Sequence, residues 1–197
     1  MNYAAAKKFI LNKLREELPT ELYYHSVEHT LDVLAVTESL CAKENISAYA
    51  TELLKTAALF HDAGFTISHL EHEKLGCEIV RKYLPTFGYT PNEIGQICRM
   101  IMATKIPQSP QNALEQILSD ADLDYLGRSD FYVIGQRLYQ ELKNRNSDFS
   151  IASWDAIQVS FLESHSFFTT TNIATRAPQK AIYLNELKEK YAFLEKS

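Results

Sequence analysis

Residues 53–65 read LLKTAALFHDAGF. The run from Leu53 to Phe60 is apolar and helix-forming, with the look of a core segment. It closes on the polar pair His61-Asp62, and Gly64 follows at once, which permits a helix to end there. Placing His and Asp at the end of an apolar helix costs free energy unless both are paired or ligated. Adjacent residues diverge by roughly 100° on a regular helix. The two side chains therefore reach one point only near a helix end or a local distortion.

Two other segments carry side chains of the same chemical kind. His25 and His29 stand in YYHSVEHT (residues 23–30), four apart, so on a helix they share a face. Asp120 and Asp122 stand in SDADLDYLG (residues 119–127), where a helix starting at Asn112-x-x-Glu115 runs out. Any one group is weak: a lone His in a helix is usually a half-buried polar residue, and an HD dipeptide arises by chance. Together they offer a divalent cation two imidazoles and two carboxylates, a mixed N/O shell suited to first-row transition metals, with magnesium possible.

Outward from these segments the chain reads as helix after helix. Helical patterns cover residues 4–18, 29–42, 48–60, 72–84, 112–126, 130–143, 151–168 and 179–194. Pro19 and Pro85 act as stops, and Ser47 serves as a cap. Thr90-Pro91-Asn92-Glu93 joins capping-box spacing to proline at the first helical position. In the second helix Leu31, Leu34 and Leu40, with Val33 and Val36, form the apolar set. No alternating strand pattern competes, and KIPQSPQN (residues 105–112) is the clearest loop. The fold class predicted is all-α.

The ordered set H…HD…D, in the contexts YHSVEHTLDV, AALFHDAGF and ILSDADLDYLG, resembles the HD-domain metal-dependent phosphohydrolases. The likeness covers roughly residues 22–127, with 128–197 as added helices of one HD-type helical bundle over residues 1–197. It implies His29, His61, Asp62 and Asp122 as ligands of one divalent ion: manganese, iron, cobalt, nickel, zinc or magnesium. Asp122 is preferred because Ala121-Asp122 matches the family's A-D step, leaving Asp120 to orient a histidine or a water. His25 occupies the place of a general-acid His in cyclic-nucleotide phosphodiesterases, although Ser26 stands where those have Asn. His72-x-x-x-Gly76 is similar to the segment that supplies a further ligand in two-metal members. No His occurs between 72 and 165, so the later paired histidines of that group are missing. His69 and His72 are then expected to contact a substrate phosphate, the alternative being a solvated first turn. Lys105 and Arg128 follow pocket-forming segments and are expected phosphate partners, if they do not merely solvate the surface. His165 is expected in the core or at the surface rather than closing over the site. The C-terminal aromatics Trp154, Phe161, Phe167, Phe168, Tyr183, Tyr191 and Phe193 are expected to pack the core, the alternative for some of them being a base- or ring-binding pocket shaped by stacking.

The function implied is hydrolysis of a phosphate ester, of a nucleotide or related small molecule. The alternative is a non-catalytic nucleotide- or partner-binding sensor that keeps a metal site. Composition sets the class boundaries. The 197 residues are 46% hydrophobic and 23% charged, enough apolar mass for a core. A net charge of −5 without a basic run argues against a nucleic-acid polymer as partner. Cys41, Cys77 and Cys98 are odd in number and lack C-x-x-C spacing, as in a reducing compartment. The start MNYAAAKKFILNKLREEL lacks a signal-peptide run, and no stretch approaches the ~20 apolar residues of a membrane helix. A cytoplasmic protein is expected.

Overall fold

Residues Ala48–Phe60 form a helix whose inner face, with Leu53, Leu54, Ala57, Ala58, Leu59 and Phe60, is fully buried. Burying each large side chain of this kind contributes about 1.5–3 kcal/mol, so this segment anchors everything packed on it. The computed structural model describes the backbone of residues 1–194 and the side chains of residues 1–190. It consists of α1 (Tyr3–Glu17), α2 (Val27–Lys43), α3 (Ala48–Phe60), α4 (His72–Tyr83), α5 (Pro91–Ala103), α6 (Ala113–Asp122), α7 (Phe131–Arg145), α8 (Ile151–Ser164), α9 (Thr170–Thr175) and α10 (Ala177–Leu194). Short 3₁₀ turns cover Ala63–Thr66, Leu84–Phe87 and Asp124–Gly127. The described residues contain no strand.

The helix starts follow side-chain capping. Ser26, Ser47 and Asn112 each accept from backbone N–H groups of the following turn, and Thr90 with Glu93 forms a reciprocal capping box. Each cap is worth about 1 kcal/mol, which helps place the helix starts in register. Around α3 pack α1, α2, α5 and α6, while α4 pairs with α5 and with the 63–66 turn. One core fills this layer. A second, built from Tyr24, Leu123, Tyr125, Leu126, Phe131, Leu162, Phe167, Tyr183 and Leu187, joins the C-terminal helices to it.

Three expectations change. Leu31 is 37% exposed, so the buried stripe of α2 runs through Val33, Leu34 and Leu40 instead. The helix expected over 151–168 stops at Ser164. His165 is extended (φ −76°, ψ 138°), because Lys180 Nζ donates to the carbonyl of Leu162 at 2.9 Å and to that of His165, capping the C-terminus. The chain then starts α9, which local patterning did not announce. Phe167 and Tyr183 do pack the second core, whereas the side chains of Tyr191 and Phe193 lie outside the described residues. No helix among the described residues is long and apolar enough to cross a membrane.

Candidate metal centre

The three sequence groups converge at the helix ends. Ser26 Oγ accepts the N–H of His29 at 3.3 Å, which starts α2 and sets His29 in its first turn. At the end of α3, His61 keeps helical dihedrals (φ −59°, ψ −41°) and Asp62 leaves them (φ −98°, ψ 6°). That break lets neighbours which would diverge on a helix face one point. Asp122 is the last residue of α6. The ligand atoms of His29, His61 and Asp122 lie within 4.8 Å of one another. His29 Nε2 is 3.1 Å from Asp122 Oδ1 and 3.4 Å from His61 Nε2. Asp62 Oδ2 stands 3.2 Å from His61 Nε2 and 3.5 Å from His29 Nε2.

These donors suit a divalent ion. Metal–ligand bonds of about 2.1 Å hold neighbouring donors about 3.0 Å apart in an octahedron and about 3.4 Å apart in a tetrahedron. The spacings of 3.1, 3.2 and 3.4 Å fall in that range, and that of 3.5 Å lies just beyond it. Asp62 Oδ2 is buried and has no hydrogen-bond partner, an expensive state for a carboxylate unless a cation faces it. The carbonyl of Ala58 accepts from His61 Nδ1–H at 2.8 Å, so Nε2 is left as the free electron pair. Burial opposes the charges, yet the carboxylates of Asp62 and Asp122 hold His61 well above 6.5. Both carboxyls are in turn pulled below the usual range by the histidines, again against burial.

His72 comes to the same chamber from α4. Its Nε2 lies 3.6 Å from Asp62 Oδ1 and 3.4 Å from Glu73 Oε1. Gly64 makes this possible through close approach: a Cβ there would sit 1.9 Å from the His72 carbonyl oxygen. The Phe65 ring stands between His72 and His25, with centroids at 4.2 and 4.1 Å.

His25 is held from the C-terminal layer. Glu141 Oε1, on α7, lies 2.6 Å from His25 Nδ1, and Glu141 Oε2 accepts the N–H groups of Tyr24 and His25 at 3.0 and 3.1 Å. Burial raises the Glu141 carboxyl, but its bonds to His25 prevail and its pKa is lowered. An ionised carboxylate only accepts, so Nδ1 carries the hydrogen, which leaves Nε2 as the ring nitrogen not bound to Glu141, on a residue that lines the chamber. Glu141 escaped the sequence reading, because an acidic residue on a charged helix has no local mark. The one available signal is its spacing of four from Arg145, which donates to it at 2.6 Å.

Several expected residues are used differently. Asp120 is fully buried and does not orient a metal-binding group: its oxygens accept from Phe168 N (2.9 Å), Thr169 N (2.8 Å) and Thr169 Oγ1 (2.6 Å). It anchors the segment that opens α9. Arg128 is not free for phosphate, since it pairs with Asp32 and Asp130 at 2.8 and 2.6 Å. Lys105 is paired with Glu71 at 2.7 Å. His69 is exposed in the turn before α4 and does not line the chamber. His165 is buried, with Lys180 Nζ 3.4 Å from its Nδ1. Burial, reinforced by that ammonium, lowers its pKa to about 4. It lines a neighbouring cavity of about 230 Å³ with Phe161 and Phe168.

The chamber itself is a cavity of about 220 Å³. Its inner wall carries His25, Asp62, His72, Glu73 and Asp122, and its outer wall comes from α7 and α8.

A helical core that gathers His, His-Asp and Asp at its helix ends defines a class of metal-dependent hydrolase. The sequence pattern of the HD domain family matches residues 26–124, and the chain belongs to that family. His25 and Glu141 both fall outside the matched stretch. A crystal structure of a predicted HD superfamily hydrolase from an uncultured Thermotogales bacterium is similar with a TM-score of 0.61. The similarity covers 95% of this chain and 92% of that one at 20% identity, so it speaks for the fold. Comparison with curated proteins finds no match.

Proposed function

We propose that the chain hydrolyses a phosphate ester, of a nucleotide or related small molecule, with one divalent ion held by His29, His61, Asp62 and Asp122. When bound, the ion would supply Lewis acidity toward a phosphoryl oxygen and lower the pKa of water. The remaining work belongs to the chain. Asp62 and Asp122 supply the negative charge that retains the ion, and the bond from His61 Nδ1–H to Ala58 aims Nε2 at it. His25, in its imidazolium form, hands the proton on Nε2 to the leaving oxygen. Glu141 keeps Nδ1 protonated and stabilises that imidazolium as the positioning residue behind it.

The observation that carries this reading is the His25–Glu141 pair opening onto the metal cluster. A proton donor with its own buried counter-ion serves bond cleavage, and a sensor that only holds a nucleotide has no need of one. The three cysteines are free and buried, in keeping with a reducing, cytoplasmic setting. The test is a metal-supplemented screen of phosphate esters and nucleotides. Turnover abolished by a chelator is the expected result; tight binding without turnover of any ester would assign the chain to the sensor class instead.

A further inference from the structure

The chamber has two unlike walls. The inner wall carries three carboxylates, Asp62, Glu73 and Asp122, and among the described residues no lysine or arginine lines the cavity. The basic groups at its borders are committed. Lys105, beside the lining residue Ile106, pairs with Glu71 at 2.7 Å, and Arg145 pairs with Glu141 at 2.6 Å. Leaving the histidines aside, three carboxylates against one divalent ion leave an excess of one negative charge on this wall. A single phosphoryl group is served by the ion and by His25. Further phosphates would meet Glu73 and no cation, and like charges brought together in a partly buried cleft repel strongly.

The outer wall is apolar. On α8, Trp154, Ile157, Gln158 and Phe161 follow the i, i+3, i+4, i+7 spacing that puts them on one face, and Leu138 and Leu142 of α7 adjoin them. Gln158 is the one polar side chain of these six. A wall of this make-up covers an aromatic or apolar ring and gives a hydrated polyphosphate nothing to bind.

We infer that the site selects molecules with one phosphoryl group attached to an apolar or aromatic ring system, and discriminates against di- and triphosphates. This rests on the proposed phosphoryl site and adds its selectivity.

Trp154 is the chain's one tryptophan and lines the chamber, so its emission reports occupancy without turnover. Titrations of the full chain in excess magnesium compare phenylphosphonate with methylphosphonate, and adenosine 5′-monophosphate with the β,γ-methylene analogue of its triphosphate. Expected is at least about tenfold tighter binding of phenylphosphonate than of methylphosphonate, from burial of the ring. The monophosphate should also bind at least about tenfold tighter than the triphosphate analogue. Ile157→Lys, at a position 46% exposed, should raise affinity for the triphosphate analogue by about fivefold or more by supplying the missing cation. Equal or tighter binding of the triphosphate analogue to the unaltered chain would overturn the selectivity and leave the phosphoryl site standing. Absence of any response to all four ligands would remove the phosphoryl site, and the selectivity with it.

Discussion

Glu141 holds His25 Nδ1 at 2.6 Å across 116 residues of sequence, joining α7 to the loop that starts α2. The pair links the C-terminal layer to the metal cluster and gives His25 a fixed tautomer. Its chemical consequence is testable. His25→Ala should keep the fold and the metal but lower kcat by roughly 10²–10⁴-fold, the usual size of a general-acid contribution. Glu141→Gln, which keeps an acceptor but loses the charge, should cost about 10–100-fold. Both defects should shrink for a nitrophenyl ester, whose leaving group needs little protonation. Equal losses for good and poor leaving groups would make His25 a phosphate-positioning residue.

Metal content separates ligands from neighbours. Elemental analysis should find one divalent ion per chain, lost in His61→Ala, Asp62→Ala and Asp122→Asn. It should persist in His25→Ala, His72→Ala and Asp120→Asn. Retention of the ion in both His61→Ala and Asp62→Ala would rule out the site.

Asp120 should behave as a structural anchor. Asp120→Ala leaves Phe168 N, Thr169 N and Thr169 Oγ1 without the acceptor they share. A loss of about 2–4 kcal/mol is expected from a buried charged acceptor with several donors. Urea unfolding measures it, and a stability change well under 1 kcal/mol would show that α9 docks by other means.

Acid should weaken the bond between the two layers. The folded-state pKa of Glu141 lies below its ordinary 4.5. Its stabilisation is therefore fully present above pH 4.5 and is lost as the pH falls through the folded-state value. Unfolding midpoints should fall below pH 4.5, and Glu141→Gln should show a flatter acid limb together with lower stability at neutral pH. An unchanged acid limb in the variant would show that other carboxyls dominate.

Gly64→Ala should disturb α4 rather than the metal. The added Cβ would lie 1.9 Å from the His72 carbonyl oxygen, a backbone atom that cannot swing aside. Destabilisation of about 2–4 kcal/mol is expected, with metal still bound by the folded fraction. A variant as stable as the parent would mean that α4 shifts freely.

Short-range chemistry was legible in the sequence. Ser47, Thr90 with Glu93, and Asn112 mark helix starts because a cap acts within three residues, and the structure puts α3, α5 and α6 where those signals point. His61-Asp62 at the end of an apolar run already implied a helix end, since only there can adjacent side chains converge. Asp120 and Asp122 show where local reading stops. Two positions on a helix differ by about 200°, so one aspartate must face away from the other. The family's A-D step favoured Asp122 but could not show what Asp120 holds, because its partners Phe168 and Thr169 are 48 and 49 residues away. Glu141 and the ion pairs that occupy Arg128 were equally hidden, and local spacing could not tell whether Trp154 and Phe161 of α8 face a core or a ring-binding pocket. Their roles depend on which helices lie side by side. That is settled by burial of the two cores and by charge pairing across the packed layers, energies that no single segment carries.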